Sequence, residues 1–320
     1  MIQELIPTKD LDFLEAIALS IGSKVDGNTV ELPQHIGNGF IKGFKINPHL
    51  YMIIRQYELK NEWVLKKIVG EEDKEVVMIA FHNIFRTRNE RFDRKSLPSV
   101  QVTTAGLDYQ LFLPAGVKMN SIVIAVHIEY LKELLNPQKE NAFFKTLLSG
   151  FQPILFEEII SARIQNVATE IIEEQAPKEL QLLYVKAKAE ELIYLLFVEL
   201  LKRQSTSVRS MSVAELKIIY QVRDKILSFL HIPPRLNELA KFSGMSESKL
   251  KRSFKQVFGT SIYSYYQNVR IQEAAYLLKE HKLTVSEVGH QLGFSNLSHF
   301  TRLFKEHLGV KPKKYSQESA

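Results

Sequence analysis

An α+β protein, strand-rich through its first half and wholly helical through its last third, is what this 320-residue sequence predicts. Three observations carry that prediction. From about residue 28 to 128, β-branched and aromatic runs are broken by turn residues. Beyond residue 130 the apolar period lengthens to the three-and-four spacing of helices. One short stretch is also spelled twice, as "AKFSGMSESKLKRSFKQVFGTSIYSY" at 240–265 and as "HQLGFSNLSHFTRLFKEHLGVKPKKY" at 290–315.

In the strand-like region "YMIIRQYEL" alternates, which places Tyr51, Ile53, Arg55, Tyr57 and Leu59 on one face and Met52, Ile54, Gln56 and Glu58 on the other. "EVVMIAFHNIF" and "NSIVIAVHI" are more uniformly apolar and read as strands covered on both sides. Turn signals fall at His35 to Asn38, at "INPHL" and at "LPAGVK". Short strands spaced in this way suggest a sandwich or a small barrel.

The helical texture begins with "NAFFKTLLSG", ending on a glycine cap at Gly150, and continues through 152–175. Pro177 precedes a long helix expected over about 178–203. Leu182, Val185, Ala189, Leu192 and Leu196 recur there at spacings of three and four, the pattern of a coiled-coil seam, and Ile193, Phe197 and Leu200 widen the stripe. Self-association and packing within the chain both fit that pattern. "RQSTSVRSMS" is polar and serine-rich, so a linker is expected at 203–213, between domains at 1–202 and 214–320.

Composition narrows the function classes. No run of about 18 apolar residues is present to span a membrane. The opening "MIQELIPTKDLDFLE" has acids where a signal peptide would be basic, and zero cysteines exclude disulfides and thiolate metal sites; both point to a cytoplasmic protein. The net charge of +6 is unevenly spread. Residues 211–320 hold 17 Lys and Arg against nine Asp and Glu, a balance of +8, so the first 210 carry −2. A basic domain beside a mildly acidic one fits a chain that presents one of its domains to a polyanion.

Each copy of the repeat contains the parts of a helix-turn-helix. In the first, Leu236, Leu239 and Ala240 lie on one side of a short helix, Gly244 ends it and Ser246 caps the next. Leu250, Phe254 and Phe258, four apart, form the buried stripe of that second helix, and Ser248, Lys251, Arg252 and Lys255 occupy its opposite face. In the second copy Thr284 and Glu287 make a capping-box pattern, Gly293 ends the helix and Ser295 is the expected cap of the next. Phe300, Phe304 and Leu308 face inward there, leaving Asn296, Ser298, His299, Thr301, Arg302 and Lys305 outward. A helix with an aromatic back and a basic front suits a DNA major groove, where Asn pairs with adenine and Arg with guanine. Between the copies "SYYQNVRIQEAAYLLKEH" has neither Pro nor Gly; as a helix of 18 residues it spans about 27 Å, near the roughly 34 Å between successive major-groove faces.

Residues from about 218 to 316 resemble the DNA-binding domain of the AraC/XylS family of bacterial transcription regulators. The motifs that carry the likeness are "LNELAKFSGMSESKLKRSFKQVFGTS", "VRIQEAAYLL" and "GFSNLSHFTRLFKEHLGVKPKKY". The resemblance implies base-facing roles for Ser248, Lys251 and Arg252 and for Asn296, Ser298, His299 and Arg302. Three positions depart from the family pattern. Gly289 replaces a small alanine, His299 stands where tyrosine is common, and Ser316 stands where arginine often follows the last tyrosine. The same resemblance implies a cupin-like effector and dimerisation domain in the N-terminal half. "LPQHIGNGFIKGFKINPHLYMIIRQYEL" is similar to the start of siderophore-responsive members. The partners it implies are double-stranded DNA, a small-molecule effector and a second copy of the chain, with RNA polymerase a further candidate; no cofactor is implied.

Two other readings stand beside this one. A metal-dependent cupin enzyme with a DNA-binding appendage would need a ligand set, but His35, His49, His82 and His127 form no HxH pair followed by a spaced Glu. Neither a glycine-rich phosphate loop nor a GxSxG elbow occurs. A constitutive DNA-binding protein whose barrel only dimerises is the other. The effector reading rests on Arg55 and Tyr57, which share a face with apolar neighbours: an inward guanidinium there requires either a protein acid or a carboxylate ligand.

Overall fold

The computed structural model describes residues 2–5, 13–67, 75–84, 98–104, 109–113, 115–135, 147–148, 155–173, 176–201 and 211–317. They gather into two compact units, one reaching Val213 and the other beginning at Ala214. Gly150 and most of the expected 203–213 linker lie outside the described residues.

The N-terminal unit begins with β1 (Ile2–Leu5), α1 (Phe13–Ile21), β2 (Val25–Asp26), β3 (Thr29–Glu31), β4 (Gly37–Asn47), β5 (Leu50–Leu59) and β6 (Trp63–Lys67). It continues with β7 (Val76–His82), β8 (Ser99–Thr104), β9 (Tyr109–Leu113), β10 (Lys118–His127) and α2 (Ile128–Leu135), then β11 (Leu155–Ile159), α3 (Ala162–Ile172) and α4 (Lys178–Leu201). Eight strands form one antiparallel sheet in the order β11-β8-β7-β10-β5-β4-β3-β2, and β1-β6-β9 form a second, smaller sheet.

Both faces of the large sheet are covered, which is why its central strands are so apolar. On β5, Leu50, Met52 and Ile54 enter one core, where Val185, Ala189, Leu192, Ile193, Leu196 and Phe197 of α4 also lie. Ile53, Tyr57 and Leu59 enter the other, with Leu14 and Ile17 of α1, Trp63 of β6 and Leu113 of β9. The alternation expected for β5 is thus present, with neither face left to solvent.

One helical expectation is corrected and one open choice is narrowed. The helix read over 152–175 is broken at its start, because Leu155–Ile159 pair with β8 as an edge strand and Phe156 is buried in the larger core; the helix begins only at Ala162. The stripe read on α4 packs within the chain, one of the two outcomes left open for it. Val185, Ala189, Leu192 and Leu196 are spent on the sheet, and Leu182, the first residue of that row, is exposed. Among the described residues no helix is long and apolar enough to cross a membrane.

The C-terminal unit contains helices alone: α5 (Val213–Ser228), α6 (Leu236–Ser243), α7 (Glu247–Phe258), α8 (Ile262–Glu280), α9 (Val285–Gln291), α10 (Leu297–Leu308) and α11 (Pro312–Gln317). The expected connector is α8, whose 19 residues give a length of about 28 Å. Both α7 and α10 pack against it.

Candidate nucleic-acid interface

The duplication read in the sequence is also a duplication of geometry. α7 and α10 each have 12 residues and begin 50 positions apart, at Glu247 and Leu297. Left-handed glycines precede them, Gly244 at φ +64° and Gly293 at φ +74°, and others end them, Gly259 at +69° and Gly309 at +78°. Phe254 and Tyr265 meet edge to face with ring centroids 5.5 Å apart, and Phe304 and Tyr315 repeat that contact at 5.5 Å. Aromatic pairs in this orientation stabilise beyond their buried area, so each copy anchors its second helix to the following one by the same device.

The caps decide where each recognition helix starts. Ser246 Oγ accepts from the Lys249 N–H, as expected. In the second copy the cap is Asn296 instead of Ser295: its Oδ1 accepts from the N–H groups of Ser298 at 2.8 Å and His299 at 3.0 Å. The extra residue of the second copy therefore falls before the cap, which puts Ser246 opposite Asn296. It also takes the Oδ1 of Asn296 away from the paired amide contact with adenine expected of it. At the front of this copy, Thr284 and Glu287 form the expected capping box. The Thr284 hydroxyl and N–H donate to Glu287 Oε2 at 2.7 and 2.8 Å, and these bonds hold the Glu287 carboxyl below the usual range.

With the copies aligned at this offset, Ser248, Lys251, Arg252 and Lys255 fall opposite Ser298, Thr301, Arg302 and Lys305. Leu250, Phe254, Phe300 and Phe304 are fully buried behind them. Ser248, Lys251, Arg252, Ser298, Arg302 and Lys305 are exposed, and Lys255, His299 and Thr301 are half-buried. Among the described residues Lys251, Arg252, Lys255 and Lys305 have no ion pair. Arg302 meets Glu306 only at 3.8 Å on an open surface, a contact of little energy. The fronts of α7 and α10 thus carry uncompensated positive charge before any ligand arrives. His299 leans on Phe294, ring centroids 6.3 Å apart.

Sequence reasoning passed over Lys249, which the corrected offset places opposite His299. Its Nζ lies 3.5 Å from Glu215 of α5, and Ser253 donates to that same carboxylate at 3.1 Å. Only the tertiary fold brings Glu215 to α7, so no local signal marked it. Gly289, one of the departures from the family pattern, is explained by close packing: a Cβ there would press on the Leu297 side chain.

The halves are joined through α8. Arg270 is buried and donates to the Leu292 carbonyl through Nε at 3.2 Å and Nη2 at 2.6 Å, and to Gln267 Oε1 through Nη1 at 3.1 Å. Its guanidinium stacks 3.6 Å from the Phe294 ring centroid and 5.0 Å from that of Tyr266. Burial lowers the Arg270 pKa from its ordinary value. One helical turn earlier, the Tyr266 hydroxyl donates to the Leu230 carbonyl at 2.8 Å. One face of α8 therefore binds the end of α5 and the end of α9.

In the N-terminal unit, Arg55 and Tyr57 line a cavity together with residues of α1. Among the described residues no three His, Asp or Glu side chains are grouped to share a metal ion.

Two helix-turn-helix motifs on a shared helix, both with basic fronts, define a double helix-turn-helix domain. A family profile and two relatives agree. A helix-turn-helix domain profile matches residues 239–318. The Msm operon regulatory protein of Streptococcus mutans is 33% identical over 100 residues, which are 31% of this chain and 36% of that protein. The "Probable transcription factor PqrA" of Proteus vulgaris is 32% identical over 83 residues, 26% of this chain and 68% of that protein. Among solved structures, the DNA-binding domain of AdpA in complex with a target DNA is 25% identical, covering 31% of this chain and 90% of that one with a TM-score of 0.30. The chain belongs to the AraC/XylS family of helix-turn-helix transcription regulators, which is not an enzyme family. It spans about a third of the length of the Streptococcus relative and about two thirds of PqrA.

Proposed function

We propose that this chain is a sequence-specific regulator that lays α7 and α10 in successive major grooves of one DNA face and answers to a small molecule held in its N-terminal unit. The observation that carries the first part is the repeated geometry of the two motifs on one continuous α8. Two recognition helices tied to a spacer of about 28 Å suit sites about one DNA turn apart. Arg252 and Arg302 read base edges, Ser248, Lys251, Ser298, His299 and Thr301 adjoin them, and Lys255 and Lys305 bind phosphates. Asn296 contributes through its amide nitrogen, its oxygen being occupied by the cap.

In this reading residues 1–202 form a cupin-like effector and dimerisation domain, 203–213 the linker and 214–320 the DNA-binding domain. The two sheets with a core between them support the cupin-like assignment. Support for a homodimer comes from α4, where Leu180, Ala187, Tyr194 and Leu201 recur every seven residues and are all exposed, with Leu183 exposed beside them. This stripe lies beside the one that packs on the sheet, and a second copy would match it by symmetry.

The test begins with DNA selected from a random pool by the full-length protein. Arg302→Ala should cost on the order of 1–3 kcal/mol at one base position, whereas Lys305→Ala should weaken all sequences alike and reduce the salt slope by about one. Equal losses on every sequence for Arg302→Ala would remove the readout role.

A further inference from the structure

We infer that the cavity under α1 is a binding site for a small monoanion with an apolar body, a short aliphatic or aromatic carboxylate, gripped by Arg55 and Tyr57. This deepens the effector reading above by naming the class of ligand.

The cavity opens between α1 and the inner face of the large sheet, with Ile17, Ile21, Leu32, Ile41, Trp63 and Leu113 among its walls. Against those apolar surfaces stand three polar side chains, Ser20, Arg55 and Tyr57. Ser20 is spoken for, because its hydroxyl donates to the Ile17 carbonyl at 2.7 Å. Arg55 and Tyr57 are not. Among the described residues neither has a hydrogen bond or an ion pair, although Tyr57 is 9% exposed and Arg55 half-buried. Directly across the β5–β10 pair from Arg55 lies Ser121, wholly buried, whose hydroxyl also lacks a partner.

Buried polar groups are nearly always satisfied, so the buried Ser121 hydroxyl, beside a guanidinium and a phenol that also have no partner among the described residues, requires an explanation. A protein acid opposite Arg55, the alternative open from the sequence, is not found among the described residues. An anionic ligand supplies what is lacking. Arg55 and Tyr57 stand two residues apart on one strand face, roughly 7 Å along the chain, so a guanidinium fork and a phenolic donor can meet at one carboxylate. Burial raises the Tyr57 pKa while the Arg55 charge draws it down, so the hydroxyl keeps its proton and remains a donor.

One cation balances one negative charge. A phosphate dianion would leave charge uncompensated in apolar surroundings, and a neutral ligand would forgo the ion pair with the guanidinium. The volume, ≈ 70 Å³, holds on the order of five to seven water-sized groups. Compact acids such as hexanoate and benzoate are of that order.

Trp63 is the only tryptophan of the chain and lines the cavity, so its fluorescence reports occupancy directly. The full-length protein should be titrated with hexanoate and benzoate beside hexanamide and benzamide. The acids should bind at least tenfold more tightly than the amides. Arg55→Met should remove that preference, and Tyr57→Phe should weaken the acids several-fold. Equal binding of acid and amide by the unmodified protein, or no response to either acid at tens of millimolar, would overturn the site whatever the variants do. Binding of the acids with no change in DNA affinity would support the site and refute the effector reading separately.

Discussion

Replacing Arg270 with methionine should loosen the C-terminal unit and leave the N-terminal unit as it was. The size of the effect follows from what Arg270 touches. Methionine fills much of the same volume and removes the buried charge together with its donors, so the desolvation cost of the guanidinium is relieved. What remains is the loss of the donor to Gln267 Oε1 and two larger losses. The Leu292 carbonyl, at the C-cap of α9 and bonded twice by Arg270, loses those partners, and the stack on Phe294 at 3.6 Å disappears. An orphaned carbonyl costs about 1–3 kcal/mol and a desolvated cation–π contact about 1–2, so a net loss of roughly 2–4 kcal/mol is expected. Lysine should do no better, because it keeps the buried charge without the planar fork.

Urea unfolding of the full-length protein separates the units, since Trp63 fluorescence follows the N-terminal one while the larger share of the helical circular dichroism belongs to the C-terminal one. With a slope of about 2 kcal/mol per molar, the dichroism midpoint should fall by about 1–2 M. The Trp63 midpoint should stay in place. A dichroism shift under about 0.3 M, or an equal shift in both signals, would refute the account of Arg270 as the tie between α8 and the second motif.

The two glycines that precede the recognition helices should respond unequally to alanine. Gly244 faces open space, so Gly244→Ala should cost about 1–2 kcal/mol for its left-handed backbone, whereas at Gly293 a Cβ would also collide with the His231 carbonyl and the loss should be larger, as urea midpoints would show. Because its hydrogen bonds lower the Glu287 pKa in the folded protein, the capping box stabilises above the ordinary Glu range and loses that effect as pH falls through the lowered value. The difference in Tm between the unmodified protein and Glu287→Gln should therefore shrink on acidification; a difference that grows would contradict the assignment. Leu183→Glu together with Tyr194→Glu should convert dimer to monomer in sedimentation without unfolding, because both side chains are more than half exposed. An unchanged mass would reject α4 as the dimer contact.

How much of this was written in the sequence differs between the two units. In the C-terminal one the capping box, the left-handed glycines and the four-residue spacing of Leu250, Phe254 and Phe258 are all local signals, and the structure uses each as read. The lapse there was also local: Ser295 and Asn296 are adjacent capping residue types, and the choice of Asn296 moved the offset of the second copy by one residue. Lys249 and Glu215, in contact across the first motif, lie 34 positions apart and are joined only by packing.

In the N-terminal unit the alternation of β5 was legible, but what covered each face was not. Residues 155–159 became a strand because β8 offered its edge, a decision no local propensity could make. α4 is apolar around much of its circumference, and the sheet took one stripe while leaving Leu180, Ala187, Tyr194 and Leu201 outside. The sequence by itself determined the helical repeat and its basic fronts, because caps, turns and helix periods act within a few residues. The cavity at Arg55 and Tyr57 and the tie at Arg270 were decided only by the tertiary structure, since a charge's partner, or its lack of one, depends on groups that the chain brings together from far apart.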